Sequence, residues 1–170
     1  MGTGAFEVEG VTKTYTLWRH LRRIPVRGVT DLTLSVPRGV IFGLLGLNGA
    51  GKTTTMKLLV GLMRPDRGQV RVLGESIEQP AVRARVGFLP EFPYLPLQLR
   101  AAELLGHYGR MSGLAGSGLA ARVARTLERV GLEPGRADPL RAYSKGQLQR
   151  VAMAQALLHE PEVICADEQM

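Results

Sequence analysis

Gly46-Leu47-Asn48-Gly49-Ala50-Gly51-Lys52-Thr53 fits the spacing G-x-x-x-x-G-K-[ST] and lies between an apolar run and a helical pattern, the context that a phosphate-binding loop requires. The run Val40-Ile41-Phe42-Gly43-Leu44-Leu45 has almost no polar residue and predicts a parallel strand buried on both faces. Gly51 to Gly61 then predicts a helix, with Met56, Leu58, Leu59 and Val60 available for packing. Glycines let backbone N–H groups close around phosphate oxygens, and a helix N-terminus adds partial positive charge. Lys52 can reach the outer phosphates and the Thr53 hydroxyl can ligate Mg²⁺, so a nucleotide triphosphate is the expected ligand. A glycine-rich turn that happens to precede Lys-Thr is the competing reading, and the flanking patterns argue against it.

At 170 residues the chain is most simply one domain with room for a core, and 45% hydrophobic with 22% charged residues places it among soluble globular proteins. No apolar run approaches the ~20 residues of a membrane-spanning helix. Met1 to Gly10 lacks the basic and apolar regions of a signal peptide, so a cytoplasmic chain is expected, compatible with a membrane-bound partner. The one cysteine, Cys165, lies in an apolar run and cannot form an internal disulfide.

The formal charge of +7 invites a nucleic-acid reading, but the arginines are scattered. Their densest cluster, Arg19-His20-Leu21-Arg22-Arg23 with Arg27 nearby, has only Trp18 as a close aromatic. It suits a solvated or partner-facing segment better than a nucleic-acid patch. Contact with acidic lipid headgroups beside a membrane partner is the third reading.

Alternation predicts strands at Phe6 to Val11 and Val29 to Val36, together a small antiparallel layer. Short strands are expected at Gln69 to Leu73 and at Val86 to Leu89, the latter ended by Pro90, with an irregular connector from Glu91 to Pro96. Helical periodicity runs from Arg100 to about Ser112 and from Leu119 to Val130, where Gly131 can stop it. Ser144 and Gln147 are placed as N-cap and N3 of a capping box, and Pro161 follows that helix. Val163 to Ala166 reads as a short buried strand running into Asp167-Glu168. After a phosphate loop, such an acidic pair suits Mg²⁺-dependent hydrolysis: Asp167 at the metal, Glu168 orienting or deprotonating water.

Tyr143-Ser144-Lys145-Gly146-Gln147-Leu148-Gln149-Arg150-Val151-Ala152 resembles the Leu-Ser-Gly-Gly-Gln signature of ABC ATPases with its Gln-Arg-Val continuation. A helix N-terminus with an exposed Ser and Gly is itself suited to a γ-phosphate. The resemblance covers nearly the whole chain apart from Thr16 to Val26, which reads as an insertion. It implies an α/β fold: a P-loop NTPase core of the ABC type with a small N-terminal antiparallel β layer and a helical insertion, the final strands and helices being absent. Residues 1–170 would form a single nucleotide-binding domain, incomplete at its C-terminus, with a helical subdomain at approximately 92–145.

The resemblance also implies site roles. ATP and Mg²⁺ are the expected cofactors, held by Gly46, Asn48, Gly49, Ala50, Gly51, Lys52, Thr53 and Thr54. Val11-Thr12-Lys13-Thr14-Tyr15 resembles the A-loop, which would stack Tyr15 on adenine; a core tyrosine is the alternative. Phe88-Leu89-Pro90-Glu91 resembles the Q-loop segment, with Glu91 where the family usually has Gln, so a carboxylate stands near the metal. Lys52, Glu91 and Glu168 are the candidate catalytic residues, and Thr53, Glu91 and Asp167 the candidate metal ligands. Ser144, Gly146 and Gln147 would serve the nucleotide of an opposite protomer.

The implied protein is an exporter-type ATP-binding subunit, a homodimer or heterodimer of ATPase subunits working on separate transmembrane permease subunits. It would lie on the cytoplasmic face of the membrane, with no nucleic acid bound. The alternatives are a soluble ABC ATPase of DNA repair or translation and an inactive truncated fragment. The family's D-loop and switch histidine have no counterpart before Met170, since His20, His107 and His159 do not match by position, and hydrolysis by this chain alone is expected near background. In the family's sheet the strand carrying that histidine lies between the phosphate-loop strand and the strand ending in the acidic pair.

Overall fold

The computed structural model describes residues 4–19 and 22–167. The chain divides into two compact units, Met1–Arg83 and Ala84–Met170.

In the first unit β1 (Phe6–Arg19) and β2 (Arg22–Val36) form an antiparallel hairpin, and β3 (Arg67–Val72) and β4 (Glu75–Ser76) complete a sheet of order β2-β1-β3-β4. Alternation sets its buried face: Phe6, Val8, Val36, Val70 and Val72 point inward. Against this sheet lies α1 (Lys52–Leu59), which contacts β2 and β3 and buries Leu58 and Leu59. The pairing of β1 with β2 is in register from Phe6↔Val36 to Val8↔Leu34 and again from Thr14↔Arg27 to Arg19↔Arg22, with three register shifts between. Residues 16–19 and 22–26 therefore continue the two strands of one hairpin. The pairing of β1 with β3 ends at Thr12↔Arg67, so the hairpin continues beyond the sheet as a two-stranded ribbon.

At the inner end of that ribbon Asp66 accepts hydrogen bonds of 2.7 Å from Lys13 Nζ and from the Thr14 N–H. These two bonds, that of Lys13 first, hold its carboxyl below the ordinary value.

The expected strand at Val40 to Leu45 does not form. Residues 40–46 carry no strand pairing, and Ile41 and Leu45 are largely exposed. A strand exists only through a ladder to a neighbour, and among the described residues the two sheets recruit other segments, so apolar composition alone does not bury this one.

The second unit holds a parallel pair, β5 (Val86–Leu89) with β6 (Val163–Ala166), in register from Val86↔Val163 to Leu89↔Ala166. The first unit ends with the short α2 (Pro80–Arg83), and the helices of the second are α3 (Ala101–Met111), α4 (Gly118–Arg129) and α5 (Lys145–Leu157). Their apolar stripes meet in one core: Leu104 and Leu105 of α3, Val123 and Leu127 of α4, Val151 and Ala154 of α5, with Leu140 and Leu158. Ala152 and Ala156 turn the other side of α5 toward Leu89 of β5. The small residues on that side let helix and strand approach closely.

Candidate functional site

The first unit holds the glycine loop expected to bind phosphate. The Ala50 N–H bonds the Leu47 carbonyl at 3.1 Å, closing a turn, and the first intrahelical bond of α1 runs from the Thr55 N–H to the Gly51 carbonyl at 2.8 Å. The N–H groups of Lys52, Thr53 and Thr54 precede it and have no intrahelical partner, and the first turn carries no acidic residue. This end of α1 is suited to an anion.

Gly51 caps the helix with φ of 92°, a left-handed conformation. A Cβ there would meet the Gly28 carbonyl oxygen at 2.5 Å and Val29 Cγ2 at 3.0 Å, so both the conformation and the room require glycine. Lys52 folds back over the loop, its Nζ donating to the carbonyls of Gly46 at 2.6 Å and Leu47 at 3.0 Å. An ammonium has three donors, which leaves one for a phosphate oxygen. Gly46, Asn48, Gly49, Ala50 and Thr53 are exposed along this rim, while Thr54 is buried.

The Thr54 hydroxyl and the Tyr15 hydroxyl share a hydrogen bond of 3.0 Å, and Tyr15 also reaches Met63 Sδ at 3.4 Å. Tyr15 is thus joined to the first turn of α1, although 39 residues separate it from Thr54. Its ring lies against Gly28, where a Cβ would come within 2.7 Å of Tyr15 Cε2. Gly28 is the residue that sequence reasoning missed: its backbone lies against both Tyr15 and Gly51. Its only local signal is a glycine inside a strand, which marks a close approach by another group.

The second unit brings together the ends of β5 and β6. The Asp167 N–H bonds the Leu89 carbonyl at 2.9 Å, extending the parallel ladder one residue. Asp167 and Glu91 therefore leave the carboxyl ends of adjacent parallel strands, the edge at which α/β sheets bind ligands. Glu168 lies outside the described residues, as does His20. Among the described residues no cluster of three or more His, Cys, Asp or Glu side chains is placed to hold a metal by itself.

Ser144 N-caps α5 through the expected capping box: its Oγ accepts from the Gln147 N–H at 3.3 Å, and Gln147 Oε1 accepts from the Ser144 N–H at 2.9 Å. Ser144 and Gly146 are exposed, and no atom lies within 4 Å of a Cβ built on Gly146. Behind them Tyr143 is buried with its hydroxyl unpaired, its ring under the Arg136 guanidinium at 4.3 Å. His159 bonds the Val86 carbonyl at 3.2 Å, and His107 pairs with Arg110 at 3.0 Å. Both histidines have local partners.

A family profile described as ABC transporter matches residues 29–170. An uncharacterized ABC transporter ATP-binding protein of Nostoc sp. is 41% identical over 155 residues, covering 90% of this chain and 45% of its own length. The Nod factor export ATP-binding protein I of Ralstonia nicotianae is 42% identical over 142 residues, covering 82% of this chain and 44% of its own. A solved structure of an ATP-binding subunit of an ABC transporter superposes with a TM-score of 0.76 at 31% identity, over 96% of this chain and 66% of that one. The chain thus spans under half the length of these two curated relatives. The glycine loop, the capped signature helix and the acidic strand end, within a profile match covering most of the sequence, show that the chain belongs to the ABC transporter family of ATP-binding proteins.

Proposed function

We propose that this chain is the nucleotide-binding part of an ABC transporter subunit that binds ATP with Mg²⁺ and, in the complete protein, hydrolyses it to drive substrate export. The observation that carries the reading is the phosphate loop: an open glycine rim before a helix N-terminus, with Lys52 held across it by two carbonyls and one donor to spare. The donor set fits the cofactor. Backbone N–H groups at the start of α1 would hold the phosphates, Lys52 would neutralise the outer ones, and the exposed Thr53 hydroxyl would ligate Mg²⁺. Bound Mg²⁺ would supply charge neutralisation at the phosphates.

Tyr15, standing beside the first turn of α1, would bear the adenine face. Asp167 and Glu91 stand at neighbouring strand ends; the family resemblance gives them the role of metal ligands and Glu168 that of the base that activates water. Ser144, Gly146 and Gln147 would complete the site of a second ATPase subunit, an isologous arrangement that makes dimerisation a condition of turnover. The exposed cap of α5 and the open space beyond Gly146 support this. No helix among the described residues is long and apolar enough to cross a membrane. The proposed membrane path lies in separate permease subunits, which would hold the ATPase against the cytoplasmic face. Transporter names among the relatives, one of them an exporter, favour this reading over a DNA-repair or translation ATPase.

The test is ATP affinity of Lys52→Ala. Loss of a charge-assisted contact to phosphate is worth about 1.5–3 kcal/mol, a fall of roughly 10- to 150-fold. Unchanged affinity overturns the assignment. In the complete protein, a Lys52→Ala subunit mixed with a Ser144→Arg subunit should regain hydrolysis, because only the mixed dimer keeps one intact composite site. Activity in neither the mixture nor its parents, with dimers present, counts against the shared site.

A further inference from the structure

The outer ribbon of β1 and β2 is unexplained by nucleotide binding, and the family profile begins only at Val29. Leu17 is 56% exposed, Trp18 64%, Ile24 40% and Val26 38%, and they sit close together on the paired strands. Between Lys13 and Thr30 the sequence has five basic residues, Lys13, Arg19, Arg22, Arg23 and Arg27, and no Asp or Glu. Among the described residues, Arg22, Arg23 and Arg27 form no ion pair. The Arg23 guanidinium instead rests 4.9 Å from the centroid of the Trp18 ring.

The register distributes these groups over both faces. Leu17 pairs with Ile24, Trp18 with Arg23, and the pairing is unbroken from Thr14↔Arg27 to Arg19↔Arg22. Strand alternation therefore puts Leu17, Ile24, Val26 and Arg22 on one face, and Trp18, Arg23 and Arg27 on the other. Each face carries apolar carbon beside cationic guanidinium. A protein partner with a flat surface would cover one face and leave the other bare. A nucleic acid offers phosphates to the arginines but no counterpart to Leu17, Ile24 and Val26. An anionic bilayer entered end-on surrounds both faces alike: Arg23 lies level with Trp18 and Arg22 farther out than Leu17 and Ile24, and their long side chains reach back to the phosphates while the apolar groups meet acyl carbon. Trp18 suits that boundary, where indole rings sit at the headgroup level.

We propose that the outer part of the β1–β2 ribbon, residues 17–19 and 22–27, is a membrane-surface anchor that inserts Leu17, Trp18 and Ile24 into the headgroup region of an anionic bilayer while Arg22, Arg23 and Arg27 pair with lipid phosphates. This site is separate in its chemistry from ATP binding and stands or falls independently of it.

Trp18 is the only tryptophan in the chain, so intrinsic fluorescence reports on this segment directly. The 170-residue protein is titrated with vesicles of phosphatidylcholine, with and without phosphatidylglycerol, some carrying brominated acyl chains. The expected result is a blue shift and bromine quenching of Trp18 with the phosphatidylglycerol vesicles alone. An Arg22→Gln/Arg23→Gln/Arg27→Gln chain should bind them roughly a hundredfold more weakly, at about 1 kcal/mol per arginine. Leu17→Ser/Ile24→Ser should weaken binding while retaining the reporter.

No shift with phosphatidylglycerol vesicles overturns the proposal, as does binding without acyl-chain quenching. A shift with duplex DNA or polyglutamate in place of vesicles overturns it in favour of a nucleic-acid or protein face. The wild-type spectra carry the test even if a variant misfolds.

Discussion

Gly51→Ala is the substitution for which the structure gives the most complete arithmetic. At φ of 92° an L side chain is held in a region costing about 1–3 kcal/mol. The new Cβ would also lie 2.5 Å from the Gly28 carbonyl oxygen. That oxygen belongs to β2 and can retreat only if the strand moves, an overpacking cost of about 1–3 kcal/mol. The sum, about 2–6 kcal/mol, should lower the melting temperature by roughly 2–4 °C per kcal/mol for a chain of this size. ATP affinity should fall by more than about tenfold as the loop is pushed away from β2.

Gly49→Ala is the control. Its φ is 82°, so it carries the same conformational strain, but no atom lies within 4 Å of the added Cβ. Thermal melts of the two variants, followed by circular dichroism, separate strain from contact. If Gly51→Ala melts with the wild type, or Gly49→Ala loses as much as Gly51→Ala, the packing of Gly51 on Gly28 is not what shapes the loop.

Two further outcomes follow from ionisation. Because hydrogen bonds from Lys13 and then from the Thr14 N–H depress the Asp66 carboxyl below its ordinary 3.8, the folded state binds that proton less readily than the unfolded chain. Its stabilisation is present above the ordinary carboxylate range and is lost as pH falls through the depressed value. Urea melts between about pH 2 and 5 should show a steeper acid loss for the wild type than for Asp66→Asn, and parallel curves would refute the pin at the base of the ribbon. Burial raises the Cys165 thiol from 9.0 to about 12, leaving about a thousandfold less thiolate at mildly alkaline pH. An alkylating reagent should label Cys165 slowly in the native protein and rapidly in denaturant, and equal rates would place β6 outside a folded core.

Local chemistry was legible wherever it was spelled out in neighbouring residues. The glycine loop, the Ser144-Gln147 box and the strand running into Asp167 each need only a short window, and all three formed, although β6 is not the buried strand expected, with Ile164 52% exposed and only Cys165 buried. Helices α3 and α4 were visible because their stripes repeat for three turns, whereas α2 and β4 are too short to establish a period. Val40 to Leu45 misled because apolar composition reports a tendency to be buried, and pairing depends on partners elsewhere in the chain. The pairing within the ribbon was not visible for the converse reason: with both faces exposed it has no inward side to impose alternation, so the sequence did not show that both strands continue there. The contacts of Tyr15 with Thr54 and of Gly28 with Gly51 join distant segments, and apart from the glycine within a strand at Gly28 no local pattern announces them.

The three register shifts between Val8 and Thr14 make the hairpin two blocks instead of one. Bulges absorb a mismatch in residue number locally, so the inner block, Phe6 to Val8 against Leu34 to Val36, does not depend on how many pairs follow. Removing Thr16 and Leu17 together with Ile24 and Pro25 would delete one whole pleat and leave every remaining side chain facing as before. Ribbon length is therefore a free dimension of this architecture: a tip can be shortened, extended or exchanged while Tyr15 and the nucleotide loop keep their places. A segment with that freedom is where related chains can diverge in what they touch without altering the glycine loop.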